Sequence, residues 1–130
     1  MGTTTRAKVI KIIRRQVREL IRGDTGKFKF QRLDSEGSPI TTQADELYFT
    51  VKVNSRNKQF AFQKTLEDMT FDQDGTYHFT IEPTDTDDLN FGTYVYDIEV
   101  KQGGVVSTIA MGDFVLLDEV TYAENEVQNG

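Results

Sequence analysis

The sequence Gly92-Thr93-Tyr94-Val95-Tyr96 opens the most regular alternating segment of this 130-residue chain. It follows an acidic turn at residues 85–88 and continues with apolar residues at every second position through Ile98 and Val100. A period of two places these side chains on one face of a β-strand and the polar residues between them on the other. The segment therefore predicts a strand over about residues 93–101 with one face in a core.

A tyrosine near the start of such a strand has a defined role in immunoglobulin-like sandwiches. Its hydroxyl hydrogen-bonds to the backbone a few residues upstream, and the usual second cysteine of the fold follows two residues later. Tyr94 has the position of this corner tyrosine, Gly92 precedes it, and Tyr96 occupies the place of the cysteine. We therefore expect structural roles for Tyr94, Gly92 and Tyr96 in an immunoglobulin-like β-sandwich.

The chain after residue 26 repeats short alternating segments separated by turn residues. Asp74-Gly75 and Gly103-Gly104 favour hairpins, since these residues tolerate the positive φ of tight primed turns. The spacing predicts an all-β fold, an immunoglobulin-like β-sandwich of about seven antiparallel strands, with a bend in the last strand at Gly112. The predicted core is rich in aromatic residues: Phe30, Phe49, Val51, Phe62, Phe79, Ile81, Tyr96 and Ile98. The same alternation places Val53 inward and puts Phe60 on the face of Phe62.

Composition divides the chain into three parts. Residues 1–22 are predicted to form a basic N-terminal arm or first strand, residues 23–121 the sandwich, and residues 122–130 a flexible polar tail. The apolar residues of the arm fit both helical spacing and strand alternation, and periodicity alone does not separate the two. An extended arm with a strand over about residues 16–22 is favoured because residues 23–26 have turn composition. A helix over residues 6–22 is the alternative.

Charge is distributed very unevenly along the sequence. Residues 1–32 carry ten Lys and Arg against two acidic residues, a net charge of +8, whereas residues 33–130 carry five against nineteen, a net charge of −14. Since opposite patches steer partners together and fix their register, we expect the arm to dock on an acidic neighbour such as another copy of the chain. Protection of an exposed strand edge is the alternative. The expected contacts are Arg14, Arg15, Arg18 and Arg22 for charge, and Val9, Ile10, Ile12 and Ile13 for apolar burial.

The sequence contains no convincing catalytic or metal-binding pattern. The absence of cysteine excludes zinc–thiolate sites, thiol catalysis and disulfides. His78 is the single histidine and is predicted to point outward from a strand. The acidic residues at 72–75 and 85–88 do not have the EF-hand spacing of a calcium loop. We therefore expect a non-enzymatic protein without cofactor or metal.

Targeting and membrane signals are also missing from the pattern. No apolar run is long enough to span a bilayer. The apolar residues near the N-terminus are interrupted by Lys11, Arg14 and Arg18, unlike the core of a secretory signal. We expect synthesis in the cytoplasm and no membrane partner.

A series of motifs has a recognisable order along the chain. The series runs Arg22-Gly-Asp-Thr25, Phe28-Lys-Phe30, Asp34-Ser-Glu-Gly37, Leu47-Tyr-Phe-Thr-Val-Lys52, Gly75-Thr-Tyr-His-Phe79 and Gly92-Thr-Tyr-Val-Tyr-Asp-Ile98. It resembles small phage and prophage structural proteins of Gram-positive hosts, in particular the N-terminal immunoglobulin-like domain of the upper baseplate protein of lactococcal-type siphophages. The resemblance covers about residues 16–118 and rests on the order of the motifs.

The resemblance implies a virion component that is made in the host cytoplasm and contacts other virion proteins and copies of itself. The baseplate family continues into a helical stalk and a module that holds receptor-binding proteins, and these 130 residues do not include them. The expectation is therefore a small tail, baseplate, collar or capsid-associated subunit.

Two other functions remain alternatives at this point. A carbohydrate- or cell-surface-binding module would use exposed aromatic residues, for which Tyr48 and Tyr122 are the candidates. Nucleic-acid binding would use the basic arm, but we do not expect it, because the acidic remainder of the chain would repel the same polymer.

Overall fold

The computed structural model describes residues 18–118. These residues form eight strands, one short α-helix and one 3₁₀ turn. The strands are β1 (Arg18–Ile21), β2 (Gly26–Gln31), β3 (Glu46–Lys52), β4 (Phe62–Thr65), β5 (Thr70–Phe71), β6 (Thr76–Ile81), β7 (Gly92–Gln102) and β8 (Val105–Leu117). The 3₁₀ turn (Leu66–Asp68) lies between β4 and β5, and α1 (Pro83–Thr86) lies between β6 and β7.

The strands form two sheets in a sandwich-like arrangement. One sheet has the order β1-β8-β7-β3-β4, and the other has the order β2-β6-β5. The expected all-β architecture is confirmed, with eight strands in the described part instead of about seven. The expectation that every pair is antiparallel is wrong for β1, which pairs parallel to β8 from Arg18 opposite Phe114 to Ile21 opposite Leu117. Alternation reports which face is buried but not the direction of a partner so far away in sequence.

An aromatic cluster joins the two sheets. Phe49 of β3 is 2% exposed, and its ring centroid lies 4.8 Å from that of Phe79 in the other sheet and 5.6 Å from that of Tyr96. Seven of the eight predicted core residues are buried, and the eighth, Phe30, is half-buried and stacks on Tyr77 at 5.1 Å. The period-two pattern therefore identified the core correctly.

The pattern fails where it extends beyond the strand ends. Val53 is 55% exposed because β3 ends at Lys52, and Phe60 is 52% exposed because β4 begins only at Phe62. Both residues were predicted inward or on the core face, and both predictions are wrong. Alternation constrains a side chain only while the backbone remains an extended, paired strand.

The two predicted hairpins form with different turns. Gly103 and Gly104 both have positive φ, 56° and 83°, and connect paired residues of β7 and β8, as expected. The β5–β6 hairpin is closed by a longer turn in which Gly75 alone has positive φ, 91°. The carboxylate of Asp74 accepts the amide N–H of Thr76 at 3.0 Å. Hydrogen bonding from the side chain of Thr76, followed by that from its amide, lowers the pKa of Asp74.

The last strand is continuous, and its irregularity is not at Gly112. Gly112 pairs regularly with Tyr96. The register of β7 and β8 shifts between Ile98 and Glu99, so that Ile109 is the extra residue of a bulge. Ile109 is buried, because the extra residue turns its side chain toward the space between the sheets.

Candidate functional site

The predicted docking residues divide into two groups. Val9, Ile10, Ile12, Ile13, Arg14 and Arg15 lie outside the described residues. Arg18 lies in β1, opposite Phe114 of β8. Residues 18–21, which the sequence assigns to the arm, are therefore an edge strand of the five-stranded sheet, and the arm joins the body beside β8.

Arg22 holds three parts of the domain together. Its amide N–H donates to the carbonyl oxygen of Leu117 at 2.9 Å, and its guanidinium donates to that of Leu89 at 3.2 Å. The guanidinium also lies 3.7 Å from the Asp118 carboxylate. Because the side chain is only 28% exposed, much of this cation serves the domain itself.

The neighbouring polar groups are also bonded within the chain. The Tyr94 hydroxyl donates to the carbonyl oxygen of Asn90 at 2.7 Å, four residues upstream. Thr86, at the end of α1, is fully buried, and its hydroxyl oxygen accepts the amide N–H of Gly23 at 3.1 Å. We call this region, formed by Arg22, Gly23, Thr86, Asn90 and Tyr94, the corner end.

Gly92 and Tyr96 lie two residues before and after Tyr94 in β7. Gly92 begins β7 with a φ of 147°, which other residues rarely adopt. Tyr96 is 4% exposed, and its hydroxyl is buried without a hydrogen-bond partner among residues 18–118. Tyr96 therefore fills space between the sheets, and its polar atom bonds to none of the described residues.

A groove lies at the other end of β7, where sequence reasoning predicted no site. It has a volume of about 570 Å³ and opens between the β2–β3 connection and the β7–β8 hairpin. Its walls are largely apolar, with the polar groups of the connection on one side. The groove is lined by Arg32, Asp34, Ile40, Thr42, Val100, Gln102, Gly103, Val105, Ser107 and Ile109.

Arg32 is the unusual residue of the groove. It is 6% exposed, and one terminal nitrogen donates to the carbonyl oxygen of Thr42 at 2.5 Å. Its Nε is buried without a partner, and Arg32 forms no ion pair with the described part of the chain. Asp34 also lines the groove, but its carboxylate accepts the amides of Glu36 and Ser38, both at 2.9 Å.

The sequence contained a signal for this buried arginine. Phe28 and Phe30 alternate inward along β2, and Arg32 continues their parity just beyond the strand end. An inward position occupied by arginine is a candidate site, because a buried cation is costly unless it is paired. The groove itself could not be predicted, since its walls come from distant segments.

The other singled-out residues lie on the surface. The Nε2 of His78 lies 2.6 Å from a carboxylate oxygen of Asp72, and both side chains are about half exposed. Tyr48 is half-buried, and its hydroxyl donates to Glu46 at 2.7 Å. This hydrogen bond, followed by burial and the charges of Glu46 and Glu99, raises the pKa of Tyr48. Tyr122, the second aromatic candidate, lies outside the described residues.

The described residues lack two other kinds of functional element. Residues 18–118 contain no group of three or more histidine or acidic side chains arranged to hold a metal ion. None of the helices in this part of the chain is long and apolar enough to cross a membrane.

No protein-family model matches the chain, and no curated protein matches its sequence.

Proposed function

We propose that this protein is a non-enzymatic structural subunit of a bacteriophage virion, tail, baseplate, collar or capsid-associated, that docks on its neighbours through its basic N-terminal arm. The observation that carries the proposal is the place where the arm joins the folded body. The basic N-terminal region, with a net charge of +8 over residues 1–32, enters the acidic remainder through an edge strand, β1. An arm attached at a sheet edge can extend from the body toward a second copy.

An immunoglobulin-like fold is part of the proposal, and the strand order supports it. Such sandwiches place strands C, F and G in one sheet and strands B, E and D in the other. If β2, β3, β5, β6, β7 and β8 are named B, C, D, E, F and G in that order, β8-β7-β3 and β2-β6-β5 reproduce this arrangement. The hydrogen bond from Tyr94 to Asn90 has the geometry of the corner tyrosine.

The internal contacts of Arg22 narrow the set of docking cations. Its guanidinium is already bonded to Leu89 and lies near Asp118, so Arg22 anchors the base of the arm. The charge for a neighbour then comes from the preceding residues, above all Arg14 and Arg15. A weak contact of this kind becomes strong when it is repeated around a ring or shell, because each added link is effectively intramolecular.

The test is charge reversal at the arm with a matched reversal on the body. We compare Arg14→Glu/Arg15→Glu with Lys27→Glu/Lys29→Glu, in which both lysines lie exposed on β2. Each variant replaces two cations with two anions. Mass in solution is measured by light scattering at low and high salt, and incorporation is measured by co-sedimentation with phage particles.

The arm variant is expected to lose assembly and incorporation, whereas the β2 variant retains both and each variant keeps its circular dichroism spectrum. Normal incorporation of the arm variant would exclude the arm as the docking element. Equal loss in both variants would show that overall charge, and not the arm, controls assembly.

A further inference from the structure

We infer that the groove is the receiving site for an acidic extended segment of a second copy of the chain, residues 119–126. The inference rests on the proposed assembly of copies and names a second contact, separate from the arm. Its chemistry is a carboxylate for the guanidinium of Arg32, with apolar side chains for the surrounding walls.

The state of Arg32 defines what the groove accepts. An arginine side chain has five N–H donors. In the described part of the chain, the side chain of Arg32 makes one hydrogen bond, to the carbonyl oxygen of Thr42. Its Nε is buried without a partner. A buried unpaired cation is destabilising, and a carboxylate can bind a guanidinium through two parallel hydrogen bonds. An incoming carboxylate would therefore relieve a cost that the isolated domain carries.

The surroundings of Arg32 favour an extended segment over a small anion. Val105, 59% exposed, lines the groove together with Ile40, Val100 and Ile109. Beside the groove, β8 pairs with β1 only over Phe114–Leu117, so residues 105–110 have no strand on that side among residues 18–118. An open strand edge next to apolar pockets is the arrangement that binds an extended peptide as an added strand.

The sequence just after β8 has the matching composition. Residues 119–126 read Glu-Val-Thr-Tyr-Ala-Glu-Asn-Glu, with three carboxylates, the apolar or aromatic side chains of Val120, Tyr122 and Ala123, and no cation. The basic arm has the wrong charge, because Lys8 and Lys11 accompany its apolar residues and would be repelled by Arg32. Arg32 therefore favours the acidic segment over the basic arm, and the carboxylate of Asp34, which also lines the groove, is already bonded to the amides of Glu36 and Ser38.

The length of the chain assigns this segment to a second copy. Leu117 and Ser107 are ten residues apart along β8, about 33 Å in a strand. To return to its own groove, the chain would have to reverse after Leu117, which takes at least about two residues. The roughly seven residues left before Glu126 span at most about 25 Å. That span falls short of Ser107 in the same chain, whereas the groove of a neighbouring copy carries no such restriction.

The test uses disulfides between different chains, since the natural sequence has no cysteine. One chain carries Ser107→Cys in the groove and a second carries Ala123→Cys in the acidic segment. They are mixed as full-length proteins under mild oxidation. The matched control replaces the groove cysteine with Ser55→Cys, an exposed residue beyond the other end of β3. Each chain has a single thiol, so a disulfide between the two variants must join two copies.

We expect the Ser107→Cys mixture to give at least about ten times the heterodimer yield of the control, because a docked segment has a high effective concentration near the groove. Adding Glu119→Gln, Glu124→Gln and Glu126→Gln to the Ala123→Cys chain should lower the yield roughly tenfold, since charge-assisted hydrogen bonds are lost. Arg32→Met in the other chain should act in the same way.

Three results would overturn the inference. They are equal yields for the groove and control cysteines, a yield that the glutamine substitutions leave unchanged, and preferential crosslinking of Ser107→Cys to Ile10→Cys in the arm. If crosslinking fails while the Arg14→Glu/Arg15→Glu variant still loses assembly, this inference falls and the proposed function stands. If crosslinking succeeds while the arm variant assembles normally, the arm proposal falls instead.

Discussion

The two ends of β7 treat their polar groups in opposite ways. At the corner end, Thr86, Tyr94 and the guanidinium of Arg22 each have a hydrogen-bond partner within the chain. At the groove, Arg32 is more deeply buried than Arg22, but among residues 18–118 its side chain has a bond to Thr42 alone and an Nε without a partner.

The contrast distinguishes a region whose polar groups are hydrogen-bonded within the domain from a region where a buried polar group lacks a partner among residues 18–118. Buried polar groups in folded proteins are usually satisfied, and an exception calls for a physical reason. At the corner end, satisfaction ties the base of the arm to β8 and α1. At the groove, the missing partner is what a docking segment could supply.

The largest expected effect tests the corner end at Thr86. Thr86→Val keeps the shape of the side chain but removes the acceptor for the amide of Gly23. We expect the free energy of unfolding to fall by about 1–3 kcal/mol, because a partly buried N–H loses its partner. Urea denaturation measures this. Thr93→Val, at an exposed position of β7, is the control and should change little. Equal effects at both sites would contradict the contrast.

The next effect compares the same substitution at the two ends. Arg22→Met should cost about 1–2 kcal/mol, mainly through the bond to Leu89, since the exposed pairing with Asp118 contributes little. Arg32→Met should change stability by less than about 1 kcal/mol, because the lost bond to Thr42 is offset by removal of a buried unpaired cation. Thermal and urea unfolding of both variants provide the measurement. A larger loss at Arg32 would show that the groove is already satisfied internally.

A smaller effect compares two tyrosines on the same face of β7. Tyr94→Phe should cost about 1 kcal/mol, because the hydroxyl bond to Asn90 is lost. Tyr96→Phe should cost nothing or stabilise the protein by up to about 1 kcal/mol, because it removes a buried hydroxyl without a partner in the described chain. The measurement is the shift of the urea midpoint of each variant relative to the natural protein. Equal destabilisation by Tyr96→Phe and Tyr94→Phe would contradict the expected difference between the two hydroxyl groups.

The smallest effect is expected at Asp97, which lies in the middle of β7 between its two ends. Burial, then repulsion from Glu99, raises the pKa of Asp97, against the attraction of Lys52. A raised folded-state pKa means that ionisation destabilises the fold, so stability from this group is greatest below the unfolded pKa and is lost as pH rises through the folded one. Asp97→Asn should therefore raise the thermal midpoint slightly at pH 7, and this gain should vanish below about pH 4. A gain that persists at low pH would exclude the carboxylate charge as its cause.

The general fold and the core were predictable because strand alternation reports burial directly. Phe49, Phe79 and Ile98 alternate with polar residues and are buried. The parallel pairing of β1, the bulge at Ile109 and the turn at Gly75 were not predictable, because they depend on partners and backbone angles that composition does not specify. Val53 and Phe60 show the limit of alternation, which continues in the sequence after the strand has ended.

The candidate site was less predictable than the core. Tyr94 can be singled out from its place in the strand, but the bonds of Arg22 to Leu89 and of Gly23 to Thr86 join residues more than sixty positions apart. The alternation of Arg32 with Phe28 and Phe30 indicated an inward side chain, but its lack of an acidic partner among residues 18–118 depends on segments distant in sequence. Six of the eight predicted docking residues lie outside the described part of the chain and stay predictions.

The parallel pairing of β1 with β8 also has a mechanical consequence. Tension applied at Arg18 and at Leu117 pulls the two strands in opposite directions along their length, because each force acts at the opposite end of the paired segment. The hydrogen bonds between the strands lie across this direction and are loaded together in shear, whereas an antiparallel hairpin pulled at its open end would unzip one bond at a time. If neighbouring subunits held the chain before β1 and after β8, the β1–β8 pair would therefore resist stretching more strongly than an antiparallel hairpin of the same length.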